Sequence, residues 1–151
     1  MKIDHTLEIA APVATVWSVI SDLDRYPEWN PFVVECRSSL QPGAPIAMRV
    51  RVFPGFAQPQ TETIFAHVPG RFLSYGVAPM PLGMLASTRS HEVTALGADR
   101  TRYDSRFELR GWLAPIVRTL LAGRLAHGFA AMSNAIKTRS EATARATSGA
   151  S

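Results

Sequence analysis

The chain has one cysteine, Cys36, among its 151 residues, so an intrachain disulfide is excluded. That usage fits a reducing compartment. No window approaches the roughly 18 uncharged apolar residues that a transmembrane helix needs. The start, Met1-Lys2-Ile3-Asp4-His5, lacks the apolar core of a secretory signal. A cytoplasmic location is therefore expected. Basic residues outnumber acidic ones by 16 to 12, for a formal charge of +4. That balance mildly favours anionic partners. The basic residues are scattered, however, with no aromatic-interleaved cluster and no helix-turn-helix or zinc-finger spacing, so nucleic acid is not an expected partner.

Several reaction chemistries are missing as well. There is no Gly-x-Ser-x-Gly elbow, and no phosphate-cradling glycine loop, since Pro69-Gly70 and Gly97 fall at strand turns. The four histidines, His5, His67, His91 and His127, show none of the short spacings that mark metal sites. No metal or other cofactor is expected. Cys36, flanked by Glu35 and Arg37, has no activating base in view and is expected to be inert. Trp17, Trp29 and Trp112 read as structural anchors rather than a stacking platform.

What remains is an ordinary globular composition, 46% apolar and 19% charged, at a length suited to one domain. Ile3, His5, Leu7 and Ile9 alternate with Lys2, Asp4, Thr6 and Glu8, a strand with one wet face. Pro12 then suits a first helical turn, and Val13, Val16, Trp17 and Ile20 predict a short helix over residues 12–21. Asp22 is placed to cap a second short helix through Leu23–Tyr26, which Pro27 and Pro31 keep short. Six β-rich segments follow: Phe32–Ser39, Ile46–Phe53, Gln60–Val68, Arg71–Val77, Ser87–Leu96 and Thr101–Arg110. Gln41-Pro42-Gly43, Pro54-Gly55, Pro69-Gly70 and Gly97-Ala98-Asp99 supply the turns, and the succession reads as an antiparallel meander. In the second of these segments Ile46, Met48, Val50 and Val52 face one way and Arg49 and Arg51 the other.

After Gly111 the period becomes 3.6. Leu113, Val117, Leu120, Leu121, Gly128, Met132 and Ala135 share a face, with Arg118, Ser133 and Lys137 opposite, predicting a helix over residues 113–140 about 40 Å long. Residues 142–151, small and polar, read as a disordered tail. The expected class is α+β: a curved seven-stranded antiparallel sheet around a long C-terminal helix, with two short helices after the first strand.

This order now meets particular residues. Ile9-Ala10-Ala11-Pro12-Val13-Ala14-Thr15-Val16-Trp17, then Asp22, Tyr26-Pro27 and Trp29-Asn30-Pro31, resembles the opening of the START-like or SRPBCC superfamily, its polyketide cyclase/dehydrase-like members most of all. Pro69–Tyr75, His91-Glu92-Val93, Thr101, Gly111-Trp112-Leu113 and Gly128-Phe129 continue the likeness, which covers residues 1–141 as a single domain. The resemblance implies a helix-grip fold with a ligand cavity between sheet and helix. Relatives often carry a glutamate four residues before the glycine that opens the last helix; Phe107 stands there, so an acid–base role resting on that glutamate is not carried over.

Strand parity puts His5, Tyr75, His91, Tyr103, Ser105 and Phe107 on dry faces, either as core residues or as cavity wall. Leu120 belongs to the apolar helix stripe. Arg124 falls in the middle of that stripe, where it either meets an anionic end of a ligand or reaches out to water. Two apolar loops carry Phe56 and Met80, Leu82 and Met84, which read as a mobile lid, a membrane-touching surface or a homodimer contact. The functional expectation is binding or transport of a small hydrophobic molecule such as a lipid, polyketide or aromatic. A polyketide aromatase/cyclase and a cochaperone-like interaction module are the alternatives, and no catalytic residue is assigned.

Overall fold

The computed structural model describes residues 1–150. Strand β1 (Lys2–Ile9) has the expected alternation, ending on fully buried Ile9. Pro12 precedes helix α1 (Val13–Ser21), which buries Val16, Trp17, Val19 and Ile20. Asp22 makes no side-chain cap on the 3₁₀ turn Leu23–Arg25 that follows. Its carboxylate instead pairs with Arg25 Nε at 3.4 Å, an ion pair one turn along, so the expected cap is corrected. With Pro27 in its first turn, helix α2 (Tyr26–Trp29) is four residues long.

The remaining strands are β2 (Val33–Arg37), β3 (Pro45–Phe53), β4 (Phe56–Val68), β5 (Phe72–Gly76), β6 (Ala86–Gly97) and β7 (Arg100–Arg110). They form one seven-stranded antiparallel sheet in the order β1-β7-β6-β5-β4-β3-β2. The first strand thus closes onto the last, and β1 and β2 are the edges. Strand β4 begins at Phe56, earlier than the expected Gln60, because Phe53 and Phe56 pair directly across Pro54-Gly55. Gly55 has φ +74 there, which favours glycine. Register shifts between Val33 and Glu35 and between Ile64 and Ala66 are bulges that add twist, and the sheet curls into a half-barrel.

Helix α3 (Ala114–Ser148) lies in the curl. It continues to Ser148, so residues 142–148 are helical where a disordered tail is expected; Ser151, the end of that tail, lies outside the described residues. Its C-terminal half is held down by specific contacts. Phe129, Met132 and Ile136 are buried against the sheet, Lys137 Nζ donates to Glu8 O at 2.6 Å, and Ala10 N donates to Glu141 at 3.0 Å. Burying side chains of that size contributes about 1.5–3 kcal/mol each. Ser133, expected on the wet face, is buried, because the helix is turned by about one residue from the stripe read in the sequence. Counting back from Ile136 and Met132 at 3.6 residues per turn leads through Leu125 and Leu121 to Val117, rather than through Arg124 and Leu120.

Among the described residues, no helix is long and apolar enough to cross a membrane.

Candidate functional site

Where the N-terminal half of α3 stands off the sheet, a cavity of about 270 Å³ opens between them. The walls follow from strand alternation. Met48, Val50 and Val52 from β3 face inward because Arg49 and Arg51 face out. Leu121, Leu125 and Phe129 form the helix side. Phe32 enters from the loop after α2, where the buried Asn30 Oδ1 accepts bonds from Phe32 N at 3.0 Å and Val33 N at 2.9 Å. The Phe32 ring meets Phe129 edge-on at 5.1 Å and fills the space above Gly128, where a Cβ would run into it.

A few polar groups interrupt this apolar wall. Tyr75 on β5 presents its side chain to the cavity, and behind it the Tyr75 hydroxyl lies 3.3 Å from His91 Nε2. His91 Nδ1 lies 2.7 Å from the Tyr103 hydroxyl on β7. Neutral imidazole has one donor and one acceptor nitrogen, so one tyrosine donates to the ring and the other accepts from it. All three side chains are buried. Burial, with a further push from the Arg89 charge, holds His91 well below its usual range, while burial drives both phenols up. The relay is therefore neutral.

Arg89 and Glu62 add charged groups to the wall. Arg89 on β6 is only 3% exposed, and its Cζ sits 4.2 Å from the centre of the Phe129 ring. Its three guanidinium nitrogens have no hydrogen-bond partner among the described residues. Glu62 on β4 accepts a bond from Gln60 Nε2. Burial raises its carboxyl above the ordinary value, against lowering by Gln60 and by Arg89. Neither Arg89 nor Glu62 is among the candidate residues that the sequence singles out. A signal for Arg89 exists, since Ser87, Arg89, His91 and Val93 alternate on the buried face of β6.

The sequence candidates divide accordingly. Tyr75 and Phe107 line the cavity, with Phe107 4.8 Å from Phe129; His91 and Tyr103 stand behind Tyr75. Ser105 is buried beside His91 across the sheet, and His5 pairs with Ser105 from the edge strand; neither lines the cavity. Leu120 is 69% exposed and belongs to the outer face of α3, as the turn of that helix requires. Arg124 is also outward. Its guanidinium lies 4.8 Å over the Phe53 ring at the tip of the β3–β4 hairpin, so it reaches water by packing on an aromatic.

Phe56, Met80 and Leu82 are exposed, Leu82 by 91%, and Met84 is half-buried; none of the four lines the cavity. The loop that carries the last three does reach the cavity through its ends, Val77 and Leu85. It is tied to the start of α3, with Trp112 N donating to Gly83 O and Leu113 N to Met84 O. Gly111 makes this approach possible: at φ +113 it lies against the Met84 carbonyl, with no room for a side chain. Among the described residues no group of three or more His, Cys, Asp and Glu side chains is placed to hold a metal.

An apolar cavity between a curled sheet and a long helix is a feature that whole families share, and here the match extends along the sequence. Residues 1–141 match the model of a family described as polyketide cyclase/dehydrase and lipid transport. The chain belongs to that family. Solved structures of the START/SRPBCC superfamily share its fold. The Zhui aromatase/cyclase of a Streptomyces species is 19% identical, with 93% of each chain covered and a TM-score of 0.75. A START superfamily protein from Mycobacterium smegmatis is 20% identical over 94% of this chain and 98% of its own, with a TM-score of 0.69. Norcoclaurine synthase from Thalictrum flavum is 21% identical over 93% of each chain, with a TM-score of 0.66. At such identities the likeness is one of fold, and the chemistry must be argued from the site. Comparison with curated proteins gives no sequence match.

Proposed function

We propose that this member of the polyketide cyclase/dehydrase and lipid transport family binds a small hydrophobic molecule in the cavity between sheet and α3. The observation that carries the reading is the cavity itself, walled by Val50, Phe107, Leu121 and Phe129 with a few polar groups, Glu62, Tyr75 and Arg89 among them. Its volume of about 270 Å³ is at the small end for a ligand pocket, which favours a compact aromatic over a long acyl chain.

A second reading is a cyclase-like enzyme that moves a proton through Tyr75, and the Tyr75–His91–Tyr103 relay favours it. Two facts weigh against it. Burial resists formation of an imidazolium at His91, and the cavity is small for a folded poly-β-keto chain.

Native mass spectrometry of the purified protein, followed by thermal melts against a panel of compact aromatics and long-chain lipids, tests the first reading. Compact aromatics should raise the melting temperature, and Val50→Phe, which fills the cavity, should abolish the effect. If no apolar compound in the panel stabilises the wild-type protein, the binding reading fails.

A further inference from the structure

Arg89 is set in the cavity wall as a buried charge with no hydrogen-bonded partner among the described residues. It is 3% exposed, and none of its three guanidinium nitrogens has a partner among the described residues. Its Cζ lies over the Phe129 ring, 4.2 Å from the ring centre. A guanidinium held over a ring in this way still has its N–H donors for an acceptor. The carboxyl that shares the wall, Glu62, makes no ion pair with Arg89 within 4 Å among the described residues and is already bonded to Gln60. Burial also raises the Glu62 carboxyl, which makes it a weaker counter-ion than a surface glutamate.

A buried charge left unpaired is costly, and the cost is recovered when an anion enters. The planar fork of arginine suits a carboxylate, which takes two parallel N–H bonds. A phosphate dianion fits less well, because Glu62 faces the same space and, among the described residues, Arg89 is the only Lys or Arg side chain lining the wall. The outward-facing Arg124 lies on another groove and takes no part.

We propose that the cavity binds a small monocarboxylic acid with an aromatic or short aliphatic body, its carboxylate held by the N–H edge of Arg89. The body lies against Phe107, Phe129, Val50 and Leu121, in the same apolar space. This rests on the binding function proposed above and adds the charge of the ligand and the residue that selects it. The volume of about 270 Å³ favours a short acid over a long-chain one.

The test is calorimetric titration with hydrocinnamic acid and with hydrocinnamyl alcohol, which differ mainly in the carboxylate. Wild-type protein should bind the acid more tightly by about ten- to a hundred-fold, the ratio expected for a charge-assisted hydrogen bond. Arg89→Met should lose that preference while still binding the alcohol, Arg89→Lys should keep only part of it, and Arg124→Met should keep it fully. If the alcohol binds wild type as tightly as the acid, the carboxylate assignment is overturned and the apolar cavity stands. If neither probe binds wild type, both readings fall. A preference that persists in Arg89→Met, or in Arg89→Lys at full strength should the Met variant not fold, removes Arg89 from the site.

Discussion

Replacing Arg89 by methionine should make the ligand-free protein more stable, although the side chain is almost wholly buried. Ordinarily, truncating a buried residue destabilises. Here the residue carries a charge out of water with no hydrogen-bond partner among the described residues. Desolvating such an ion costs several kcal/mol, and replacing buried ionic groups by apolar ones of similar volume is often stabilising by about 1–4 kcal/mol. Against this stands the contact with Phe129, at 4.2 Å, which contributes about 2 kcal/mol when desolvated. A methionine retains much of that contact through its sulfur, at about 0.3–1.5 kcal/mol. A net gain of about 2 kcal/mol is expected, or about 4–8 °C in melting temperature for a domain of this size. The assay is differential scanning calorimetry at neutral pH, on protein freed of bound small molecules over a hydrophobic resin. A fall in melting temperature would mean that Arg89 is well satisfied in the empty cavity, and the argument for an anion would go with it.

Gly128→Ala should destabilise by about 1–3 kcal/mol, as overpacking does, because the new Cβ meets the Phe32 ring and that ring is wedged against Phe129; chemical denaturation measures it. Tyr103→Phe should cost about 1–3 kcal/mol in the same assay, since it strands the buried Nδ1 of His91. His91 is held below its unfolded value, so below about pH 6.5 the unfolded chain takes up a proton that the native protein refuses. Stability should be fully present above that pH and fall by up to about 1.4 kcal/mol per pH unit beneath it. Glu62, raised by burial, works in the opposite sense, so the measurement is the difference between wild type and His91→Gln across the range. The Cys36 thiol is buried and pushed up to about 12, first by burial and then by Glu62. Iodoacetamide at mildly alkaline pH should therefore leave it unlabelled until the protein is unfolded; rapid labelling of native protein would contradict that burial.

Much of this was legible residue by residue. Alternation in Lys2–Ile9 and Ile46–Phe53 located β1 and β3 and told which faces are dry, because side chains on a strand have period two whatever surrounds them. The same parity puts Tyr75, His91 and Tyr103 each on a dry face. It extends two residues further, to Arg89, but the general tendency of arginine to stay exposed argues against reading it as buried. Parity cannot say whether a buried guanidinium has a partner.

The C-terminal helix divides the two sources of information most clearly. Its existence follows from local sequence, in the change of period after Gly111 and the absence of proline beyond Pro115. Its rotation does not. Apolar residues occur on both Leu113-Val117-Leu120 and Ala114-Leu121-Leu125, so the periodic pattern admits a turn of about one residue, which decides whether Arg124 or Leu125 faces the sheet. That choice is made by packing from far along the chain, where Phe32 sits on Gly128 and Phe129 meets Phe107 and Arg89. The sequence by itself therefore determined the strands and the gripped helix, set by short-range periodicity and turn chemistry, and the family, through the motifs at Ile9–Trp17 and Trp29-Asn30-Pro31 that resemble it. Only the tertiary structure decided which arginine is drawn out of water, because a charge is left unpaired by the meeting of β4, β6 and α3, and no local pattern encodes that meeting.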